Sequence, residues 1–270
     1  MTAYKGRWAL VTGASAGLGK GFATLLARRG ANLVLVARRE DRLQELATSL
    51  SEEFAVQTKV IVADLAQRDA PEAIFDSVKN DGLAIDILIN NAGFGLTGEY
   101  SERPWSEHKD FIELMITSYA ALTRLFLDGM VARKYGRIIQ VSSVAGLVPG
   151  GQGHTQYGAA KAYLVSFAQS LAAENERNGV HVTALCPGFT MTEFHDANGT
   201  RNLVSKLPSF MMMPADPVIE GALNAVEKKH VVYVPGTVNK AIVTLSRLLP
   251  RPWAAALMRQ NSKKIRRSAD

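Results

Sequence analysis

The sequence predicts an α/β fold: a doubly wound, mostly parallel sheet of about seven strands with helices on both faces, followed by a C-terminal helical extension. Three observations predict it. Short continuous apolar runs, suited to strands buried on both faces, alternate with longer helical segments. The 270 residues are 47% hydrophobic and 21% charged, enough apolar material for one large core. A glycine-rich turn stands between the first apolar run and the first helical segment. Crossovers in such a sheet are right-handed, and ligands gather at the carboxyl ends of its strands.

The elements follow in order. Trp8 to Val11 is a short apolar run ending at Thr12-Gly13, a buried strand. Gly17 to Arg29 reads as a helix, stopped by Gly30. Asn32 to Ala37 is the second strand, and the charged segment Glu40 to Leu50 the second helix. Val56 to Ala63 is a third strand. Pro71 to Asn80 fits a short helix, with proline in the first turn, where its missing N–H costs nothing. Ile85 to Asn90 is a fourth strand, Phe111 to Arg133 a long apolar helix, and Arg137 to Val141 a fifth strand. Tyr157 to Asn178 is a long helix and Val180 to Cys186 a sixth strand. Residues 216–229 read as a helix and Val231 to Val234 as a seventh strand. No internal repeat or low-complexity stretch interrupts the pattern, so residues 1–236 form one expected catalytic domain and 237–270 an extension.

Composition excludes wholesale disorder, collagen and a disulfide-stapled miniature. The net charge of +6 is unevenly placed. From Arg247 onward come seven basic residues and one acid, Asp270, leaving 24 bases against 24 acids in residues 1–246. The single cysteine, Cys186, cannot close an intrachain disulfide and reads as a buried small hydrophobe. Met1 to Arg7 carries no signal-peptide pattern, and no uninterrupted apolar run reaches the roughly 18 residues of a membrane span. The expected location is cytoplasmic, with the tail leaving room for peripheral membrane contact. His154, His181 and His195 lack ligand spacing, so no metal site is proposed.

The first turn, Thr12-Gly13-Ala14-Ser15-Ala16-Gly17-Leu18-Gly19, is built for a phosphate. Glycines let a pyrophosphate approach the backbone, and the helix that follows offers unpaired N–H groups and its positive dipole end. Four further motifs accompany it. Asn90-Asn91-Ala92-Gly93 follows the fourth strand, and Ser142-Ser143 the fifth. Tyr157-Gly158-Ala159-Ala160-Lys161 opens the long helix, and Pro187-Gly188, with Thr190 and Thr192 behind it, follows the sixth strand. In this order and spacing, over about residues 5–235, the sequence resembles the short-chain dehydrogenase/reductase family and its Rossmann-type fold.

Tyr157 and Lys161 are four apart on a helix and share a face. A free phenol titrates near about 10, and a nearby ammonium lowers that value. With a hydroxyl from Ser143, Tyr157 can polarise a carbonyl oxygen and exchange a proton with it. The resemblance implies hydride transfer between a nicotinamide and a carbonyl carbon, with Ser143, Tyr157 and Lys161 catalytic. It also gives Lys161 the nicotinamide ribose. Strand alternation turns only one of Ser142 and Ser143 to the site, and the resemblance implies Ser143, which lies 14 residues before Tyr157 as the family's serine commonly does. The resemblance further places Gly13, Ser15, Gly17, Leu18, Gly19, Asp64, Leu65, Asn91, Ala92, Gly93, Pro187, Gly188, Thr190 and Thr192 along the cofactor. One departure stands out. Aligning Gly129 and the fifth strand puts Met115 where many members carry a proton-relay asparagine, leaving Thr117 or Ser118 as substitutes.

The second strand ends at Ala37, not at an acid that would hold ribose hydroxyls, and Arg38-Arg39 follow. Paired guanidinium donors suit a 2′-phosphate, so the expected cofactor is NADP(H). Phe189 to Pro214, with Phe194, Leu203, Leu207, Phe210 and Met211–Met213, covers the substrate in the family. Such an apolar segment suits a lipophilic carbonyl or alcohol, and it equally suits a packed loop. The family also implies a homodimer or homotetramer.

In the tail, Val238, Ala241, Ile242, Leu245, Leu248 and Leu249 form a helical apolar stripe, ended near Pro250 and Pro252. It reads as a docking helix, with an anionic-membrane anchor as the other reading. Two alternatives to an enzyme are carried: a catalytically weak NADP(H)-binding sensor, motivated by Met115, and a nucleic-acid binder using the tail. The latter lacks any matching motif, so nucleic acid is not expected.

Overall fold

The computed structural model describes residues 4–96, 98–153, 155–191 and 211–250, together with 252, 253 and 256. Strands β1 (Trp8–Thr12), β2 (Asn32–Ala37), β3 (Thr58–Val62), β4 (Ile85–Asn90), β5 (Gly136–Val141), β6 (Val180–Leu185) and β7 (Val232–Tyr233) form one sheet in the order β3-β2-β1-β4-β5-β6-β7. Every pairing is parallel. The strand order reverses between β1 and β4, and the crevice above that reversal is where such sheets bind ligands. β4 and β5 are buried along their whole length, which is why they read as continuous apolar runs rather than alternating ones.

Helices α1 (Gly17–Arg28), α2 (Glu40–Phe54) and α3 (Ala70–Asn80) follow the first three strands. α4 (Trp105–Ile112) passes through a π-helical turn, Glu113–Thr117, into α5 (Ser118–Ala132). α6 is Thr155–Asn175, α7 is Ala215–Glu227 and α8 is Thr237–Leu248. On one face of the sheet Phe22 and Leu26 of α1, Leu43 and Leu50 of α2, and Ile219 and Leu223 of α7 pack together. On the other face lie Ile74 of α3, Leu122, Phe126 and Met130 of α5, and Ala168 and Leu171 of α6. A residue such as Leu26, with no exposed surface, would cost about 2–5 kcal/mol if cut to alanine.

Boundaries moved where tertiary packing outweighed local pattern. β3 is trimmed to Thr58–Val62, and α2 runs on to Phe54 until Ala55 turns left-handed at φ 53°. α6 begins two residues earlier than Tyr157 and gives way after Asn175 to a tight turn ending at Gly179. The long helix starts at Trp105 rather than Phe111. Trp105–Ala132 is long and apolar enough to cross a membrane by length and composition, yet Phe111, Met115, Tyr119, Leu122, Phe126 and Met130 along it are buried in the fold, as in a core helix.

Candidate active site

The turn after β1 is locked to the end of β4. The Thr12 hydroxyl accepts from the backbone N–H groups of Asn91 (2.9 Å) and Ala92 (3.0 Å), and the Asn91 amide donates back to the Thr12 carbonyl at 2.9 Å. Gly13 has φ +66°, and a Cβ there would lie 2.8 Å from the Asn91 amide nitrogen. Only glycine suits both the conformation and the space. α1 then starts with no side-chain cap and no acid in its first turn. Its N-terminal N–H groups and positive dipole end therefore suit a pyrophosphate.

Ser15 and Arg39 meet at the side of this turn. The Arg39 guanidinium donates to the Ser15 hydroxyl through Nη2 (3.0 Å) and Nε (3.3 Å). Arg38 is exposed, with Nη1 3.9 Å from an Asp64 carboxylate oxygen, and the other oxygen of Asp64 accepts from the Ala66 N–H at 3.1 Å. Leu65 is buried beside them. β2, the turn after β1 and the end of β3 thus bring Ser15, Arg38, Arg39 and Asp64 together. Ala37, the last residue of β2, contributes no carboxylate.

Asn90 turns inward. Its amide donates to Gln140 and Thr123, both at 3.1 Å, so only Asn91-Ala92-Gly93 continue along the crevice. The Tyr119 hydroxyl donates to the Ala92 carbonyl at 2.9 Å and holds that stretch from behind. Met115, fully buried on the π-helical turn, places its sulfur 2.8 Å from the position a Cβ on Gly93 would take. Ser118 donates to the Leu114 carbonyl at 2.7 Å, and Thr117 is exposed. The Ser118 hydroxyl is therefore taken up within its own helix.

Ser142 and Ser143 part at the end of β5. Ser142 is buried and donates to the Lys161 carbonyl at 2.7 Å. Ser143 accepts from the Ala145 N–H at 3.1 Å and donates to the Pro187 carbonyl at 3.5 Å. The Lys161 ammonium donates to the Val141 carbonyl at 2.7 Å and lies 5.6 Å from the centre of the Tyr157 ring. Tyr157 is partly buried as a residue, with its phenol end desolvated.

The electrostatics differ from the sequence expectation. Burial raises the Tyr157 pKa, and the hydrogen bond from Ser143 opposes that rise. Burial also pushes Lys161 down to about 7. The expected lowering of the phenol by a neighbouring ammonium is not found. Lys161 is bound to a strand-end carbonyl instead of facing the phenol oxygen, and the Ser143 hydroxyl is the group that favours the phenolate.

Pro187 and Gly188 follow β6 beside Ser143. Thr190 is buried, donates to the Gly188 carbonyl at 3.3 Å and pairs with Met213 in an isolated bridge. Thr192, Phe194, Leu203, Leu207 and Phe210 lie outside the described residues. Leu96, Phe94 and Tyr119 carried no functional signal in the sequence. Leu96, Phe111, Met115 and Ala160 form a buried apolar cluster, with Phe94 and Tyr157 packed against it. Phe94 and Phe111 meet edge to face at 5.5 Å. Thr12 and Tyr119 fix the backbone of the crevice. A threonine directly before the first glycine is the one cue that pointed there.

A family model described as short chain dehydrogenase matches residues 7–202. The very-long-chain 3-oxoacyl-CoA reductase of Anas platyrhynchos is 35% identical over 227 residues, 82% of this chain and 69% of that protein. The reductase of the same name from Rattus norvegicus is 37% identical over 196 residues, 70% of this chain, which spans 61% of that relative's length. Among solved structures, a 7beta-hydroxysteroid dehydrogenase studied for its stereoselectivity superposes with a TM-score of 0.84 at 27% identity, covering 94% of this chain and 97% of that one. A short-chain dehydrogenase from Sphingobium yanoikuyae in complex with NADPH superposes with a TM-score of 0.79 at 31% identity, covering 90% and 96%.

Proposed function

The chain belongs to the short-chain dehydrogenase/reductase family, and from that premise we propose that it is an NADP(H)-dependent oxidoreductase interconverting a lipophilic ketone and its alcohol. The observation that carries the reading is the placement of Tyr157 against the apolar cluster of Phe94, Leu96, Phe111 and Met115, with Ser143 at the neighbouring strand end beside the Pro187 carbonyl. When bound, the nicotinamide supplies a hydride donor or acceptor at its C4.

The residues of this chain do the rest. Ser143 and Tyr157 hold the carbonyl oxygen with two hydroxyl donors, where negative charge develops during reduction. Tyr157 delivers its phenolic proton to that oxygen, and its raised pKa keeps the proton available at neutral pH. Lys161, anchored by the Val141 carbonyl, lies on the same helical face for the nicotinamide ribose. The Gly13–Gly19 turn and the uncapped start of α1 hold the pyrophosphate. Arg38, Arg39 and Ser15 form a donor cluster for a 2′-phosphate on the adenosine ribose, with no competing carboxylate at Ala37.

The apolar cluster beside Tyr157 excludes water from the reacting oxygen and favours a substrate with a large hydrocarbon part. Relatives named for very-long-chain 3-oxoacyl-CoA and for 7beta-hydroxysteroids support that class, and NADPH-bound neighbours support the cofactor. A panel of ketones graded in chain length, read by NADPH consumption, tests the reading. Faster turnover of long or polycyclic ketones supports it. Faster turnover of short polar ketones would remove the substrate class.

A further inference from the structure

The apolar stripe of α8 is only partly covered by the body of the fold. The side turned to the body carries Asn239 and Val243, which are buried. Asn239 donates to the Pro235 carbonyl at 2.9 Å, approaches the Met213 sulfur at 3.6 Å and packs on Gly188. The start of α8 is thus seated at the carboxyl end of β6, beside the candidate active site. Of the apolar stripe, Val238, Ile242 and Leu249 are half-buried, while Ala241, Leu245 and Leu248 face outward. Leu245 is 53% exposed and Leu248 78%, and Trp253, just beyond the helix, is 69% exposed. Lys240, Thr244 and Arg247 take the remaining side of the helix and are exposed too.

Three large apolar side chains in solvent on one short stretch mark a contact surface. Charge decides what it contacts. Residues 1–246 are neutral as a set, and the whole net charge of +6 comes from Arg247 onward. A second copy would bring an equal positive charge to the same stripe. An anionic lipid surface instead matches it, since leucines and an indole enter the headgroup boundary while lysines and arginines meet the headgroups. We propose that α8 and the basic segment after it seat this protein on an anionic membrane surface, with Leu245, Leu248 and Trp253 as the inserted side chains. That places the site beside Gly188 next to the phase in which a lipophilic molecule would be dissolved. The membrane proposal itself does not depend on the enzyme reading.

Flotation of the full chain with extruded vesicles tests it. The vesicles are phosphatidylcholine alone, or phosphatidylcholine mixed with phosphatidylglycerol. We expect about tenfold more protein to float with the mixed vesicles at low salt, falling steeply as salt is raised. The double variant Leu245→Glu/Leu248→Glu should lower the floated fraction about tenfold with an unchanged melting temperature, since both side chains are already in water. A separate variant, Lys263→Glu/Lys264→Glu, should also lower it, by about fivefold or more for each base reversed. Equal flotation with both vesicle types, or equal flotation of wild type and the leucine variant, would overturn the proposal. So would light scattering that shows the leucine variant losing an oligomer while flotation is unchanged, because the stripe would then belong to a second copy.

Discussion

The Ser142 hydroxyl donates to the Lys161 carbonyl at 2.7 Å, whereas its neighbour Ser143 turns to the Pro187 carbonyl at 3.5 Å, at the end of β6. Two adjacent serines at one strand end therefore have separate tasks. On the proposed mechanism Ser143 faces the reacting oxygen, while Ser142 fastens α6 to the sheet. We expect Ser143→Ala to lower kcat/KM about 10²- to 10³-fold with little change in melting temperature. Ser142→Ala should cost about 1 kcal/mol of stability, the worth of a buried hydrogen bond, with a smaller effect on turnover. Ketone-reduction kinetics with parallel thermal melts separate the two, and a reversed pattern would exchange their roles.

The proposed preference for NADP(H) rests on the Arg39–Ser15 contact and the exposed Arg38 beside Asp64. Arg38→Glu/Arg39→Glu should raise KM for NADPH and lower the NADPH-to-NADH preference about tenfold or more, since two phosphate donors become repelling carboxylates. Initial rates with each cofactor measure this. An unchanged preference would contradict the assignment of the 2′-phosphate to this cluster.

Met115 is fully buried among Leu96, Phe111 and Ala160, in the position where the family resemblance places an asparagine. Met115→Asn puts an amide into an apolar cluster and should destabilise the fold by about 1–3 kcal/mol. We expect no gain in kcat. An increase in kcat with a flatter pH profile would show that the methionine had removed a proton relay that this chain still needs.

Burial lowers the Lys161 pKa to about 7, below the ordinary lysine value. Between that pH and the unfolded value the unfolded chain binds the additional proton, so stability rises with pH through this window. Thermal melts of wild type and Lys161→Met should therefore diverge. The wild type should gain stability relative to the variant as pH rises from about 7 to 10, and should lose it toward about 6. A constant difference across that range would mean that the ammonium is not desolvated in the fold.

Much of this was legible in the sequence because its causes are local. Runs such as Ile85–Asn90 are buried on both faces, and that burial is what makes them continuously apolar. The Gly13 turn and the Tyr157–Lys161 pair depend on spacings of a few residues. What could not be read depends on distant partners. The π-helical turn at Glu113–Thr117 shifts the facing of the helix without any glycine or proline to mark it. Lys161 finds the Val141 carbonyl twenty residues away, which changes its relation to the phenol. α8 docks through Asn239, a polar residue that periodicity assigns to solvent, because its amide meets the Pro235 carbonyl and packs on Gly188. Of the apolar stripe that periodicity would bury, Ala241, Leu245 and Leu248 are left outside.

Proton delivery by Tyr157 to a ketone oxygen predicts a kinetic defect that removal of the phenol hydroxyl would expose. NADPH consumption is followed with a long-chain or polycyclic ketone, for the wild type and for Tyr157→Phe, alongside NADPH affinity measured by fluorescence. We expect steady turnover by the wild type, a loss of about 10²-fold or more in kcat for the variant, and NADPH binding in both. Equal turnover by the two proteins, or NADPH binding without turnover of any ketone in the panel, would contradict it.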